Sequence, residues 1–273
     1  MKYIRGFLMA WGNFCGIPCP YHKWHEDSRR AMLIMLPWIG FLIGIIVSGI
    51  WMGLEYMETS PILTGVLVVV LYFLCSGFMH LDGFMDVNDA VLSRRPSKEE
   101  RQQILKSPDT GAMAVISLVL IMMVLAGSMT AVAGKDFPVT FAGFAERACL
   151  LALIFTISRT MAARAVLVQP KMGVSQYAGG DFDNISKGTR LQESVILFGM
   201  PAALIIVIFA VAYSFFTVCD AEVFIMVLIL TTAAAYGTGG YARKNLGGMN
   251  GDIAGYMIVS GEVVGLMVAA LAI

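Results

Sequence analysis

Long apolar stretches separated by short polar segments dominate the hydrophobic pattern of this 273-residue chain. A bilayer core of about 30 Å is crossed by roughly 20 apolar residues in an α-helix, and backbone amides in lipid are satisfied only within such a helix. The pattern therefore predicts an all-α, polytopic transmembrane helix bundle of about seven spans. The predicted spans are Ala31–Gly53, Pro61–Met79, Ala112–Ala133, Cys149–Val168, Ser194–Val218, Val223–Tyr241 and Ile253–Ile273.

The composition favours the same class of protein. Hydrophobic residues make up 58% of the chain and charged residues 14%, with a mean hydropathy of +0.76, against roughly 45–50% and about 25% in soluble domains. The net charge is zero, so no nucleic-acid partner is expected. We found no long linker or internal repeat, which predicts a single integral membrane domain over residues 1–273. The five cysteines lack a paired framework, so neither disulfides nor a zinc site are expected.

Lys and Arg are unevenly distributed between the two sides of the predicted bundle. With residues 1–30 placed in the cytoplasm or at the membrane interface, fifteen of the 19 basic residues fall on that side. Lys135 and Arg147 fall on the other side, and Arg159 and Arg164 lie within the fourth span. Because basic loops stay in the cytoplasm, the N-terminus is predicted to be cytoplasmic. The polar loops after spans two, four and six then predict an active site at the cytoplasmic membrane edge.

Three aspartates follow the second span in the segment "HLDGFMDVNDA". Asp82, Asp86 and Asp89 are spaced i, i+4 and i+7, which places them on one face of a helix. Carboxylates so close to a low-dielectric boundary repel one another unless a cation lies among them, and Mg²⁺ with substrate phosphate fits this requirement. The alternative is a solvated helix end. His80 either contacts a phosphate or has a structural role.

Two arginines in the fourth span are candidates for binding an anionic group. Arg159 lies deep in an apolar run, and such arginines usually face a polar cavity or a charged partner. Its guanidinium suits both phosphate and carboxylate oxygens, and Glu262 in the last span is a possible partner for an arginine. Arg164 either joins the substrate site or extends its side chain to the interface.

A glycine-rich segment, "LGGMNGDIAGY", precedes the seventh span. Gly247 and Gly248 would allow backbone amides to approach a phosphate, with Asp252 at the start of the helix. The alternative is a glycine turn followed by an aspartate N-cap. Together with the acidic motif, this segment favours transfer of a phosphate-linked group, in which positioning and charge neutralisation dominate.

The motifs "HLDGFMDVNDA", "SRT" and "GGMNGD", in this order, resemble those of the cobalamin synthase family, adenosylcobinamide-GDP ribazoletransferase. The resemblance implies a Mg²⁺-dependent enzyme in the cytoplasmic membrane of a prokaryote. It would join α-ribazole, or its 5′-phosphate, to adenosylcobinamide-GDP and release GMP. The implied catalytic residues are Asp82, His80 and Asp86; the implied substrate-binding residues are Arg159, Arg164, Gly247, Gly248 and Asp252; and the implied metal ligands are Asp82, Asp86 and Asp89.

The chain departs from the family pattern at several positions. Ser107 and Asp109 stand where an acidic and a basic residue are usual, and Val259 stands where Glu is frequent. Two other functions remain open: a CDP-alcohol phosphotransferase acting on lipids, and a secondary transporter. A bulky membrane-bound intermediate also favours a homo-oligomer or an assembly with other corrinoid enzymes.

Overall fold

A computed structural model describes residues 1–21, 23–173, 175–177, 182, 185–216 and 218–273. Eleven α-helices make up this part of the chain, and its only β-type pairing is an isolated bridge between Lys171 and Met249. The helices are α1 (Lys2–Phe14), α2 (Arg29–Ile34), α3 (Leu36–Tyr56), α4 (Pro61–Ser76), α5 (Met79–Leu92), α6 (Lys98–Leu105), α7 (Ala112–Ala133), α8 (Phe141–Val168), α9 (Lys187–Phe215), α10 (Ala221–Leu246) and α11 (Gly251–Ala272).

Six of these helices are long and apolar enough to cross a membrane, namely α3, α7, α8, α9, α10 and α11. The pair α4 and α5 adds a seventh if the two helices are one broken span, with a bend of 95° between them. The predicted membrane helix bundle of about seven spans is therefore confirmed. Helix α8 lies at its centre and is mostly buried, with α3, α9, α10 and α11 packed around it.

The first predicted span is broken near its start. Helix α2 ends at Ile34, and α3 begins at Leu36 with Pro37 in its first turn, where a missing backbone N–H is tolerated. Helix α1 forms in the N-terminal segment that is predicted to lie in the cytoplasm or at the membrane interface. It packs on α2 so closely that a Cβ built on Gly6 would lie 2.6 Å from the carbonyl carbon of Ala31.

The second predicted span ends earlier than expected, and the acidic motif occupies a helix of its own. Helix α4 stops at Ser76, and Gly77 and Phe78 then adopt left-handed conformations with φ of 71° and 61°. Glycine takes this conformation readily because it has no Cβ. The N-terminal loop contributes to the break, since the amide of Gly16 donates to the carbonyl of Cys75 at 2.7 Å and so satisfies one of the free carbonyls at the helix end.

Two glycines bring α5 and α11 into backbone contact. A Cβ built on Gly83 would lie 2.8 Å from the carbonyl oxygen of Asp252, and one built on Gly255 would lie 2.7 Å from that of His80. Any larger residue at either position would push the helices apart. The two glycines therefore set the spacing between the helix that carries the acidic motif and the helix that follows the glycine-rich segment.

A buried ion pair links α8 to α11 inside the bundle. Arg159 Nη1 donates to Glu262 Oε1 at 2.5 Å, and the Arg159 side chain is fully buried. Tyr72 and Ser158 also donate to the Glu262 carboxylate. Glu262 is thus the partner of an arginine, as predicted. A second pair, Arg147 with Glu55, lies towards the other end of α8.

We expect each charge of the Arg159–Glu262 pair to be needed for stability as long as the other is present, because each compensates the other. Glu262→Leu should lower the free energy of unfolding by about 3–5 kcal/mol, since it leaves a buried guanidinium unpaired. Arg159→Met combined with Glu262→Leu should recover most of that loss. Thermal and denaturant unfolding in detergent measures both variants, with the exposed Glu222→Gln as control. A double variant as unstable as Glu262→Leu would contradict the compensation argument.

The contact between α5 and α11 should be sensitive to one added methyl group. Gly83→Ala places a Cβ against the Asp252 backbone and should destabilise the protein by about 1–3 kcal/mol, the usual range for overpacking. The matched control is Gly127→Ala in α7, where a Cβ would meet nothing within 4 Å. Unfolding midpoints of the two variants give the test. Equal unfolding midpoints for Gly83→Ala and Gly127→Ala would contradict the close packing of α5 on α11.

Candidate active site

Asp82 and Asp86 lie on α5 opposite Asp252 in the first turn of α11. Their charges interact unfavourably, since Asp86 is repelled by Asp82 and Asp252, and Asp252 is repelled by Asp82. None of the ion pairs formed by the described residues involves these three carboxylates. The structure therefore assembles an acidic cluster, Asp82, Asp86 and Asp252, from two helices that are far apart in sequence.

The third aspartate of the motif has a different environment. Asp89 also repels Asp86, but its Oδ1 accepts a hydrogen bond from the amide of Ala114 at 3.4 Å. A Cβ on Gly111, the N-cap of α7, would collide with the same carboxylate. Asp89 thus lies against the N-terminus of α7, where the helix dipole favours a negative charge. It satisfies an otherwise free amide of α7 as well as belonging to the acidic face of α5.

Two adjoining cavities meet at Asp252. The inner cavity, of about 140 Å³, has a largely apolar wall that includes His80 and Asp82. The outer cavity, of about 230 Å³, is lined mainly by polar residues, among them Gln102 and Lys106 from α6 and the loop that follows it. Three residues line both cavities: Gln176, Gly251 and Asp252. We call the two together the acidic cleft.

His80 lies at the base of the inner cavity. Its side chain is buried and stacks on Phe14 with ring centroids 5.6 Å apart. The Nε2 atom is buried without a hydrogen-bond partner among the described residues. An unpaired buried nitrogen is unfavourable, so this atom is available to a group that enters the cavity. His80 therefore lines the inner cavity, and its direct role in the reaction stays a prediction.

The turn before α11 fixes the position of Asp252. Asn250 is the N-cap, and its Oδ1 accepts from the amide of Ile253 at 3.0 Å. Its Nδ2 donates to Asp252 Oδ2 at 2.6 Å. The alternative of an aspartate N-cap is therefore wrong, because asparagine both caps the helix and orients the aspartate. The cleft also faces the positive end of the α11 dipole.

Gly247 and Gly248, the predicted phosphate-binding glycines, lie in the turn between α10 and α11, where they have structural roles. Gly247 ends α10 in the left-handed conformation, with φ of 85°, a common helix C-terminus. Gly248 packs on the segment before α9, where the amide of Met172 donates to the carbonyl of Met249 at 3.0 Å. Neither glycine lies on the wall of the acidic cleft.

The two arginines of the fourth span are separated from the cleft. Arg159 is directed to Glu262 and reaches the site only electrostatically, through its field at His80. Arg164 lies on another face of α8, which lines a separate cavity with Arg243. Ala163 and Val166 are the α8 residues that face the acidic cleft.

The sequence analysis missed several residues that line the cleft. Gln176 and Tyr177 come from the loop between α8 and α9, and the guanidinium of Arg29 donates to the carbonyl of Gln176. Burial raises the pKa of Tyr177, so its hydroxyl keeps its proton and can donate to a phosphate oxygen. The polar loop "QPKMGVSQYAGGDFDNISKGTRLQE" indicated this region, although residues 174, 178–181, 183 and 184 of it lie outside the described residues.

The carboxylates of the acidic cluster are candidate ligands for a metal ion. Among the described residues, no group of three or more His, Cys, Asp and Glu side chains is arranged to hold a metal ion by itself. Mg²⁺, however, commonly binds through one or two carboxylates and takes its other ligands from water and substrate phosphate. Asp82, Asp86 and Asp252 supply hard oxygen donors of this kind, and none of them forms an ion pair with an arginine or lysine among the described residues. The chemistry of the residues present therefore fits Mg²⁺ bound together with a phosphate.

Comparison with known proteins places the chain among enzymes of one kind. The family described as cobalamin-5-phosphate synthase matches residues 6–270. Two relatives from Clostridium botulinum, strains Alaska E43 and Eklund 17B, are 30% and 31% identical over 98% of both chains, and one from Clostridium perfringens SM101 is 29% identical over the same share. All three are named adenosylcobinamide-GDP ribazoletransferase. No solved structure matches. The chain belongs to the cobalamin-5-phosphate synthase family.

Proposed function

We propose that this protein is an adenosylcobinamide-GDP ribazoletransferase of the membrane. It would join α-ribazole, or α-ribazole 5′-phosphate, to adenosylcobinamide-GDP, giving adenosylcobalamin or its 5′-phosphate and GMP. Family membership along nearly the whole chain supports this proposal, as do the names of the relatives. The observation that carries it is the acidic cluster of α5 and α11, of which Asp82 lines the inner cavity and Asp252 lines both cavities.

The shape of the acidic cleft suggests how the substrate binds. A corrinoid is far larger than either cavity, so the cleft would take only the reacting end of the donor. We place the diphosphate near Asp252, where the polar outer cavity meets the apolar inner one. Lys106 and Gln102 line the outer cavity and Tyr177 the inner one, and all three carry donors suited to phosphate oxygens. These residues replace Gly247, Gly248 and Arg164 as our candidates for direct phosphate contact.

A Mg²⁺ ion is the proposed cofactor. One or two of the carboxylates of Asp82, Asp86 and Asp252 would hold it together with the substrate phosphate, with Asp89 behind them at the α7 N-terminus. When bound, the ion supplies charge neutralisation to the diphosphate. The three aspartates then have a second role. Their negative charges repel a diphosphate that arrives without a metal ion and so disfavour its binding.

The proposed transfer has a simple balance of bonds. A hydroxyl oxygen of α-ribazole attacks the phosphorus that bears cobinamide, the bond from that phosphorus to the bridging oxygen breaks, and GMP leaves with the bonding electrons. The hydroxyl proton passes to a base in the cleft. His80, with its unpaired Nε2, and the carboxylates of Asp82 and Asp86 are the candidate acceptors. Positioning of the two substrates supplies most of the remaining rate enhancement.

The same end of the bundle carries the cleft and most of the basic residues. The start of α5, the end of α8 and the start of α11 all contribute to the cleft. We therefore place the site at the cytoplasmic edge of a prokaryotic cytoplasmic membrane, with the N-terminus cytoplasmic. Arg147, one of the two basic residues on the other side, is buried in its pair with Glu55 and is not a free loop charge.

Neither alternative function is favoured. Nothing in the family match supports a CDP-alcohol phosphotransferase. A secondary transporter usually binds its substrate near the membrane midplane, whereas Asp82, Asp86 and Asp252 lie at one end of the bundle, and the buried Arg159 is neutralised by Glu262. A homo-oligomer or an assembly with other corrinoid enzymes remains a prediction.

Loss of one carboxylate from the acidic cluster should abolish transfer without unfolding the protein. Asp82→Asn and Asp252→Asn should each reduce GMP release by about 100- to 1,000-fold, as expected for removal of a preorganised electrostatic group. The assay follows conversion of adenosylcobinamide-GDP with α-ribazole or its 5′-phosphate in detergent. Asp136→Asn, an exposed aspartate between α7 and α8, is the matched control. Full activity of both cluster variants would remove the basis of the proposed site.

Removal of divalent metal ions with a chelator tests whether the transfer reaction requires Mg²⁺. EDTA should stop GMP release, and added Mg²⁺ should restore it. In Asp86→Asn the Mg²⁺ concentration needed for half-maximal activity should rise about 10-fold or more, while Glu99→Gln on the exposed face of α6 should leave it unchanged. An EDTA-treated protein with undiminished turnover would exclude Mg²⁺ from the reaction.

A further inference from the structure

A second cavity with basic residues lies between α8, α9 and α10, away from the acidic cleft. It measures about 280 Å³. Arg164 comes from α8 and Arg243 from the last turn of α10, and Gln169 lies between them. The rest of its wall is mainly apolar, formed by Met161, Ala165, Val168, Phe198, Tyr236 and Met257. We call it the basic cavity.

Arg164 has no protein partner in the part of the chain that the structure describes. It forms no ion pair there, and its Nη1 atom is buried without a hydrogen bond. The neighbouring Arg30 differs, because it donates to Glu193 at 2.5 Å. A guanidinium in a low-dielectric setting needs such a partner. Arg164 therefore has the charge and the unused donors to hold an anion.

Arg243 adds a second group to the same cavity. Its Nε donates to the carbonyl of Gly239 at 3.2 Å, and its Nη1 donates to the side chain of Gln169. It too forms no ion pair among the described residues. These two hydrogen bonds fix the direction of the guanidinium and leave Nη2 available. Two arginines from different helices therefore face one cavity, an arrangement suited to the oxygens of a phosphate.

We expect the basic cavity to open towards lipid, because α9 and α10 are both long and apolar enough to cross a membrane. Helix α9 packs on α8 but hardly contacts α10, so a gap separates α9 and α10 on the outer surface of the bundle. Phe198 and Tyr236 flank it and are 39% and 58% exposed. A ligand that fills this cavity thus meets arginines on its inner side and aromatic and aliphatic side chains on its outer side.

From this arrangement we propose that the basic cavity binds the headgroup of an anionic phospholipid. The lipid phosphate contacts Arg164 and Arg243, and the acyl chains leave through the gap between α9 and α10. Basic pockets between membrane helices on the cytoplasmic side bind lipid headgroups in this way. The site is separate from the acidic cleft, because Arg164 and Ala163 lie on different faces of α8.

A phosphate could also come from a soluble compound, such as a phosphorylated nucleoside. The apolar outer wall and the exposed gap favour the lipid. A soluble phosphate monoester has no acyl chains to cover Phe198 and Tyr236, and it would leave that wall in contact with the bilayer alone. The experiment therefore compares a phospholipid with a water-soluble phosphate on the same variants.

Native mass spectrometry of the detergent-solubilised full chain, titrated with phosphatidylglycerol, phosphatidylcholine or ribose 5-phosphate, tests the proposal. We expect one phosphatidylglycerol to be retained per protein, with weaker retention of phosphatidylcholine. Arg164→Gln should weaken phosphatidylglycerol binding by about 10- to 100-fold, the effect of losing a charged hydrogen bond. Arg243→Gln, near a helix end, serves as a second variant if Arg164→Gln folds poorly. Arg95→Gln, an exposed arginine between α5 and α6, should bind as the unaltered protein does.

Three results would overturn the proposal. Equal retention of phosphatidylcholine would show that the headgroup charge is not recognised. Unchanged phosphatidylglycerol binding in both Arg164→Gln and Arg243→Gln would place any bound lipid elsewhere. Binding of ribose 5-phosphate, lost in Arg164→Gln and unaccompanied by lipid binding, would assign the cavity to a soluble phosphate.

Discussion

The backbone contact between α5 and α11 determines how the rest of the site is built. Gly83 packs against the backbone of Asp252, and Gly255 packs against the backbone of His80. The two helices can approach this closely because neither glycine has a side chain. This approach opposes electrostatics, because it brings the carboxylates of Asp82, Asp86 and Asp252 together and partly buries those of Asp86 and Asp252. Apolar packing around the helices must hold the carboxylates in place, and α7, which packs on both α5 and α11, contributes to it.

The charged side chains discussed above have two kinds of environment. Arg159 and Arg147 are neutralised by Glu262 and Glu55 within the protein, so they hold helices together and carry little net charge. Asp82 and Arg164, in contrast, have no oppositely charged partner among the described residues. The first belongs to the acidic cleft and the second to the basic cavity. These two side chains therefore lie at the two places where we propose that ligands bind.

Much of the architecture is predictable from the apolar pattern, because lipid leaves the backbone few alternatives to helix. The residues at which each span begins and ends are less predictable. Helix α8 begins at Phe141, eight residues before the predicted Cys149, since pairing with Glu55 allows Arg147 to enter the core. For the site, the spacing of the motif aspartates predicts that they share one face of a helix, while their roles and that of His80 stay predictions. The proximity of Asp252 depends on a long-range helix contact, and the roles of Gly247 and Gly248 depend on a turn that composition does not distinguish from a phosphate loop.

The origin of the acidic cluster in α5 and α11 has a consequence for biogenesis. During synthesis α5 leaves the ribosome well before α11, so the nascent chain carries Asp82 and Asp86 on the membrane without the helix that completes the cleft. The N-cap Asn250 and the packing surface around Gly255 arrive only with α11. Assembly of the cleft is thus a late step of membrane insertion, and a chain arrested before α11 would contain most of the spans but no complete cleft.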